Sequence, residues 1–230
     1  MERKHPKTII IIPAYNEREE VLRNTLQPFQ EMAYSVVVVD DGSKEDLSLL
    51  LEDLKLVTVL RHPINLGQGA ALQTGMDYAL AEGAEAVVHF DADGQHEAGE
   101  IPMLLEALEQ GADMALGSRF LRKEDADAIP WSRRLLLRGA RCVNFLFTGK
   151  WLSDAHNGFR ALNRKAMESI RITENRMAHA TEIVALARKA SLKIVEVPVH
   201  IHYTEYSRAK GQSWRQSLNI LMELLLNKLF

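Results

Sequence analysis

Five short runs of apolar, largely β-branched residues punctuate the first 120 positions, and a helix-like stretch separates each run from the next. Residues 8–12, 35–39, 56–60, 86–90 and 113–117 are apolar and bounded by turn residues, the pattern of buried strands. Helix starts are signalled by Asn16 with Glu19 at capping-box spacing, and by Ser43 ahead of the 46–54 stretch. A βαβα alternation of this kind predicts an α/β fold, with a mainly parallel central sheet covered by helices on both faces. In such sheets the ligand crevice lies beyond the carboxyl ends of the strands. Three polar turns occupy those ends, at 13–17, 40–43 and 91–96, and they predict one shared site.

Beyond residue 120 the pattern loosens. A helix is expected over 133–147, a strand over 158–163 and a helix over 178–189. A strand pair or bent strand broken at Pro198 is expected over 193–203, and a closing helix over 213–230. No repeat, low-complexity stretch or linker divides the chain, so residues 1–230 read as one domain. The single Cys142 excludes an internal disulfide framework and any multi-cysteine zinc site. No apolar run reaches the about 18 residues that a spanning helix needs. Residues 1–5 lead straight into a strand-like run without a secretory signal, which makes the cytoplasm the expected compartment.

Charge is unevenly placed. The formal net charge of −3 conceals a division in which residues 1–114 hold 8 of the 28 basic side chains and 21 of the 31 acidic ones. Across 115–141, Arg119, Arg122, Lys123, Arg133, Arg134, Arg138 and Arg141 form either a solvated face or an anion-binding wall. Nucleic acid is a poor partner for it. The acidic first half would repel a polyanion, and no aromatic residues alternate with the basic ones.

Asp91-Ala92-Asp93-Gly94-Gln95-His96 follows the run at 86–90. Two carboxylates two residues apart can address one divalent cation through oxygen, or the turn can simply cap the next helix. An EF-hand is excluded, because Gly94 stands at position 4 and Pro102 where the bidentate Glu belongs. Gly67, Gly69 and Gly75 do not complete a dinucleotide fingerprint, since Leu72 falls on its third glycine. They mark either a close backbone approach to a ligand or helix–strand packing. His96-Glu97 does not begin a zinc motif, because Glu100 takes the second His position.

Taken in order, eight segments of the chain resemble the family 2 glycosyltransferases of the GT-A fold, whose sheet is Rossmann-like. Within that family they are similar to the polyprenyl-phosphate glycosyltransferases related to dolichol-phosphate mannose synthase. These segments are Ile12-Pro-Ala-Tyr-Asn-Glu17, Val39-Asp-Asp-Gly-Ser43, Asn65-Leu-Gly-Gln-Gly69, Asp91-Ala-Asp-Gly-Gln-His96, Gly117-Ser-Arg119, Asp154 to Arg160, Glu196-Val-Pro198 and Arg208-Ala-Lys-Gly-Gln-Ser213. The resemblance assigns 1–120 to a nucleotide-sugar, 121–212 to the acceptor and 213–230 to an amphipathic helix. Pro13, Tyr15 and Glu17 would hold the nucleotide, with Val39 and Asp41 against its base. Asp91 would meet the ribose or sugar, with Ala92 beside it. Asp91, Asp93 and Gln95 would surround Mg²⁺ or Mn²⁺ with the donor diphosphate. Arg119, Arg133 and Arg208 would grip the acceptor phosphate or that diphosphate. Glu182 lies near where relatives place a base carboxylate.

The chain departs from the family pattern in two places. Trp214 stands where the C-terminal motif usually has Lys, and Glu97-Ala98 replaces a Pro-Pro pair. The Gly94-Gln95-His96 variant is similar to that of UDP-sugar enzymes, so a UDP-sugar is preferred over GDP-mannose. The implied activity is inverting transfer from a nucleotide-sugar to a polyprenyl phosphate at the inner membrane face. Two rivals are a transferase acting on a saccharide hydroxyl, with Glu182 as base, and a non-catalytic nucleotide-sugar binding module. The 213–230 helix is open to four roles: membrane contact, docking on a membrane partner, a homodimer contact, or packing on its own domain.

Overall fold

A computed structural model describes residues 7–32, 34–122, 145, 152–154, 157–176 and 178–202. The expected helix over 133–147 (Phe145 apart), the expected helix over 213–230, the residues Arg133, Arg208 and Trp214, and the basic stretch from Lys123 to Arg141 lie outside these described residues.

The five predicted runs form five strands: β1 (Thr8–Ala14), β2 (Ser35–Asp40), β3 (Val57–Arg61), β4 (Ala86–His89) and β5 (Met114–Ser118). Between them run α1 (Glu19–Glu31), α2 (Leu47–Leu50), α3 (Gln68–Ala81) and α4 (Ile101–Glu109), the last entered through a 3₁₀ turn at Ala98–Glu100. Then come β6 (Arg160–Asn163), α5 (Arg164–Ser169), α6 (His179–Lys189) and β7 (Ile194–Pro198). One seven-stranded sheet has the order β3-β2-β1-β4-β6-β5-β7. Every strand but β6 runs in one direction, and β6 lies antiparallel between β4 and β5.

Side chains alternate across a strand, so a strand covered on both faces needs apolar residues at every position. In β1, Ile9 and Ile11 pack on one side with Ala71, Leu72 and Met76 of α3 and with Ile183 and Val184 of α6. Ile10 and Ile12 pack on the other with Leu22, Leu26 and Phe29 of α1 and with Ile101 and Leu104 of α4. All four isoleucines are buried, at no more than 3% exposure.

Two local expectations fail. Asn16 does not cap α1. Its cap is Arg18, whose side chain makes no capping bond, while Asn16 adopts a left-handed φ of 50° in the turn before it. An Asn amide can bond neighbouring backbone in that conformation, and here it does so across two loops. The 46–54 helix shrinks to α2, capped by Asp46, whose carboxylate accepts the Ser48 N–H at 3.0 Å. Strand β7 ends at Pro198, where the break is expected, but residues 199–202 form no further strand.

Candidate functional site

The carboxyl ends of β1 and β2 are knitted together. Asn16 donates its N–H to Ser43 Oγ (2.9 Å) and accepts the Lys44 N–H on Oδ1 (3.0 Å). Ser43 in turn donates its N–H to Asp40 Oδ1 at 2.8 Å. Tyr15 stands out from this turn at 43% exposure, with Pro13 and Glu17 half-buried beside it.

Asp41 is buried, and its carboxylate accepts the N–H groups of Leu66 (2.9 Å) and Gly67 (2.7 Å) and a bond from His62 Nδ1 (2.8 Å). His62 Nε2 pairs with the Thr74 hydroxyl at 2.9 Å, which ties the ring to α3. Asp41 therefore organises the loop into α3. Val39 is 0% exposed and packs in the α3-side core, so its side chain is not available to a ligand. The glycines of this region serve packing. A Cβ on Gly75 would fall 2.4 Å from Ile11 Cγ2, and one on Gly69 would fall 2.0 Å from the Glu174 carbonyl oxygen.

The loop after β4 carries the candidate metal residues. Asp91 accepts from Gln68 Nε2 on one oxygen (3.1 Å) and from His96 Nε2 on the other (3.0 Å). Burial works against its charged form. The His96 hydrogen bond and the charges of His96, Arg160 and His179 outweigh it and hold the carboxylate below its usual range. Asp93 behaves oppositely: burial and the neighbouring Asp91 charge push it up, although Gln95 hydrogen-bonds it through both its backbone N–H (3.1 Å) and its side-chain amide. Two carboxylates whose charges oppose one another, beside an amide, form an all-oxygen donor set that suits a hard divalent cation. Ala92 is buried between them, its carbonyl accepting the Thr25 hydroxyl at 3.3 Å.

Beneath the loop, aromatic rings form a rigid floor. His96 stacks on Phe159 at 5.0 Å, and Phe90 meets Phe29, His96 and Phe159 edge-on. Strand β6 brings Arg160 opposite His89 of β4, both about 1% exposed. Burial lowers the Arg160 guanidinium to about 10, with Asp91 pulling the other way, so it stays charged near neutral pH. Burial, with the charge of Arg160 next, drives His89 well below its usual value and keeps it neutral. Gly158 makes the Asp91 geometry possible, since a Cβ there would lie 2.3 Å from Asp91 Oδ2.

A second network rises at the end of β5. Arg119 grips buried Asp154 through Nε (2.6 Å), Nη2 (3.3 Å) and its backbone N–H (3.2 Å). Glu196 of β7 accepts the N–H groups of Ser153 (2.8 Å) and Asp154 (3.1 Å), while Ser153 and Ser118 pair through their hydroxyls at 2.6 Å. Three separate sequence segments, at 117–119, 154–160 and 196–198, thus meet in one structure. Glu182 is elsewhere engaged. Its carboxylate accepts the N–H groups of Thr173 (3.1 Å) and Glu174 (2.8 Å) and the Thr173 hydroxyl, pinning the segment that packs on Gly67 and Gly69. The carboxylate that the resemblance offers as a base holds this loop in place.

A sequence model described as glycosyl transferase family 2 matches residues 9–171, which contain the strand-end turns of β1, β2 and β4 and the 154–160 segment. The chain belongs to glycosyltransferase family 2. It is 30% identical over 240 residues to the UDP-N-acetylglucosamine–dolichyl-phosphate N-acetylglucosaminyltransferase of Methanococcus voltae, covering 96% of this chain and 95% of that one. It is 30% identical to the polyprenol monophosphomannose synthase of Mycolicibacterium smegmatis, covering 92% and 84%. Its fold matches the crystal structure of mannosyl-3-phosphoglycerate synthase from Rubrobacter xylanophilus with a TM-score of 0.61 at 12% identity, over 97% and 75% of the two chains. The fold is the GT-A arrangement of nucleotide-diphospho-sugar transferases. The strand-end turns carry most of the polar residues of the site. Four residues around Asp91 had no role assigned from the sequence: Gln68, His96, Gly158 and Arg160. All four lie in segments that carried the resemblance, but their shared attachment to Asp91 appears only in three dimensions. No helix among the described residues is long and apolar enough to cross a membrane.

Proposed function

We propose that this family 2 glycosyltransferase moves a sugar, with inversion, from a nucleotide-sugar to a polyprenyl phosphate, and that it works at the inner membrane face. The observation that carries this reading is the Asp91–Asp93 pair, poised by Gln68, His96 and Gln95 at the end of β4. Asp91, Asp93 and Gln95 would hold Mg²⁺ or Mn²⁺, which supplies Lewis-acid stabilisation of the departing diphosphate. A phosphate oxygen of the acceptor attacks the anomeric carbon from the face opposite the leaving group. As that bond forms, the bond from the anomeric carbon to the diphosphate oxygen breaks, and the nucleoside diphosphate leaves with the electron pair.

An ionised phosphate needs positioning by cations rather than a strong base. Arg119, braced by Asp154, serves that role, with Arg133 and Arg208 as partners. The engagement of Glu182 with backbone donors favours a phosphate acceptor over a saccharide hydroxyl. Pro13, Tyr15, Glu17 and the loop fixed by Asp41 receive the nucleotide, and a UDP-sugar is the preferred donor.

The test is nucleoside diphosphate release from UDP-N-acetylglucosamine and GDP-mannose, each with Mn²⁺ and with polyprenyl phosphate or a saccharide acceptor. Release that requires the lipid phosphate is expected, and release only with the saccharide would refute the acceptor. Asp93→Ala should abolish metal-dependent donor binding in a thermal-shift titration. Unchanged affinity would remove the metal assignment.

A further inference from the structure

We propose that Glu97, Glu100, His200 and His202 form a second divalent-cation site of mixed nitrogen and oxygen ligands, in which the Arg122 guanidinium sits when no ion is bound. One ligand atom from each of Glu97, Glu100 and His200 lies within 4.8 Å of the others. His202 Nε2 lies 3.6 Å from Glu97 Oε2, and its ring stacks near His200 at 6.3 Å.

The details are those of a ligand set. Buried Glu100 accepts from His200 Nδ1 at 2.9 Å and from the His200 backbone N–H at 2.9 Å. A ring nitrogen and a carboxylate oxygen 2.9 Å apart have a separation that two ligands of one ion, each about 2.0–2.1 Å from it, can adopt. A cation already sits against the ring and the carboxylate, since Arg122 Nη1 lies 2.8 Å from His200 Nδ1 and 2.5 Å from Nε2, and Arg122 Nη2 lies 3.3 Å from Glu100 Oε1. Two carboxylates against one guanidinium leave a net negative charge at the cluster. The Arg122 side chain is 30% exposed and can withdraw to solvent.

Imidazole with carboxylate selects Zn²⁺, Co²⁺ or Ni²⁺, whereas the oxygen-only Asp91–Asp93–Gln95 set selects Mg²⁺ or Mn²⁺. The two sites therefore hold different ions in one chain. They are also adjacent: His202 donates its N–H to the Gln95 carbonyl at 2.9 Å. An ion at the second site would fix the 199–202 segment to the turn before α4 and steady the loop that carries Asp93 and Gln95. The site follows from the side chains alone, and its test reads metal binding apart from any transferase activity.

The experiment is a Co²⁺ titration of the full chain in excess Mg²⁺, read by visible d–d absorption. One Co²⁺ per chain is expected, and it should persist in Asp93→Ala. His200→Gln and the exposed substitutions Glu97→Gln and His202→Gln should each weaken it by roughly 10–100-fold. Arg122→Gln should bind about fivefold more tightly, as expected when one competing ion pair is removed. Absence of binding, binding unchanged by Glu97→Gln and His202→Gln, binding lost in Asp93→Ala, or binding confined to Arg122→Gln would each overturn the proposal.

Discussion

Gly158→Ala places a single methyl group against the residue on which the site turns. The new Cβ would stand 2.3 Å from Asp91 Oδ2 and 2.8 Å from its Cγ, where ordinary contact begins near 3.4 Å. Asp91 must retreat by about 1.1 Å or β6 must move. Retreat stretches the bonds to His96 and Gln68 beyond hydrogen-bonding range, because they already stand at 3.0 and 3.1 Å. Overpacking of this kind costs about 1–3 kcal/mol, or about 2–4 °C of Tm per kcal/mol in a chain of this size. A displacement of about 1 Å at a substrate-positioning group costs about 100-fold in rate. The expected variant is folded, slightly less stable and about 100-fold slower in nucleoside diphosphate release. Gly99→Ala is the control, since its Cβ would meet nothing nearer than Glu97 Oε1 at 3.9 Å. Asp91→Ala should remove most of the stability cost of Gly158→Ala in a double-mutant cycle. Normal turnover in folded Gly158→Ala, or additive costs in the cycle, would refute the reasoning.

Other substitutions separate structural from chemical roles. Glu182→Gln should keep most turnover with polyprenyl phosphate and cost about 1 kcal/mol in denaturant unfolding, whereas near-complete loss with donor binding intact would restore a base role. Asp154→Ala, which strips Arg119 of its buried partner, should cost about 3–5 kcal/mol in the same assay. Partial burial raises the Asp113 carboxyl, but the Lys193 N–H, the Lys165 ammonium and the Asn163 amide outweigh it and hold it below its usual range. Its stabilisation is therefore fully present above the ordinary carboxylate pKa and is lost as pH falls through the lower folded value. The stability difference between the wild type and Asp113→Asn should be constant near neutrality and close on acidification below about pH 4, measured by urea unfolding across pH.

The parallel half of the sheet was readable because strands buried on both faces must be apolar throughout, as in the Ile9–Ile12 run. The metal-candidate turn was readable too, since Asp91 and Asp93 sit two residues apart at a strand end. Strand β6 was harder. Its central-sheet position carries Arg160, and a charged residue in a four-residue segment signals surface, not a fully covered strand. Its direction had no local signal at all, because register with β4 and β5 is set by contacts far along the chain. Asn16 misled for a chemical reason: the side chain that caps helices also stabilises left-handed turns, and Ser43 decided between them. The glycines at 67 and 69 announced a close approach without naming what approached. The answer, the 174–175 backbone, lies about a hundred residues later.

The antiparallel insertion has a consequence for how the chain is made. Strand β5 pairs only with β6 and β7, both of which follow it in the sequence. While the ribosome is still adding residues 120 to 160, β5 has no ladder to join and β4 presents an unprotected edge. Sheet completion must wait for contacts of long sequence separation, the slow class of folding event. An interrupted or proteolysed chain ending near residue 120 would expose the unpaired β5 and the open edge of β4, a template for aggregation. The acidic half thus gains Gly158 and Arg160 beside Asp91 only once the later half has laid β6 between β4 and β5.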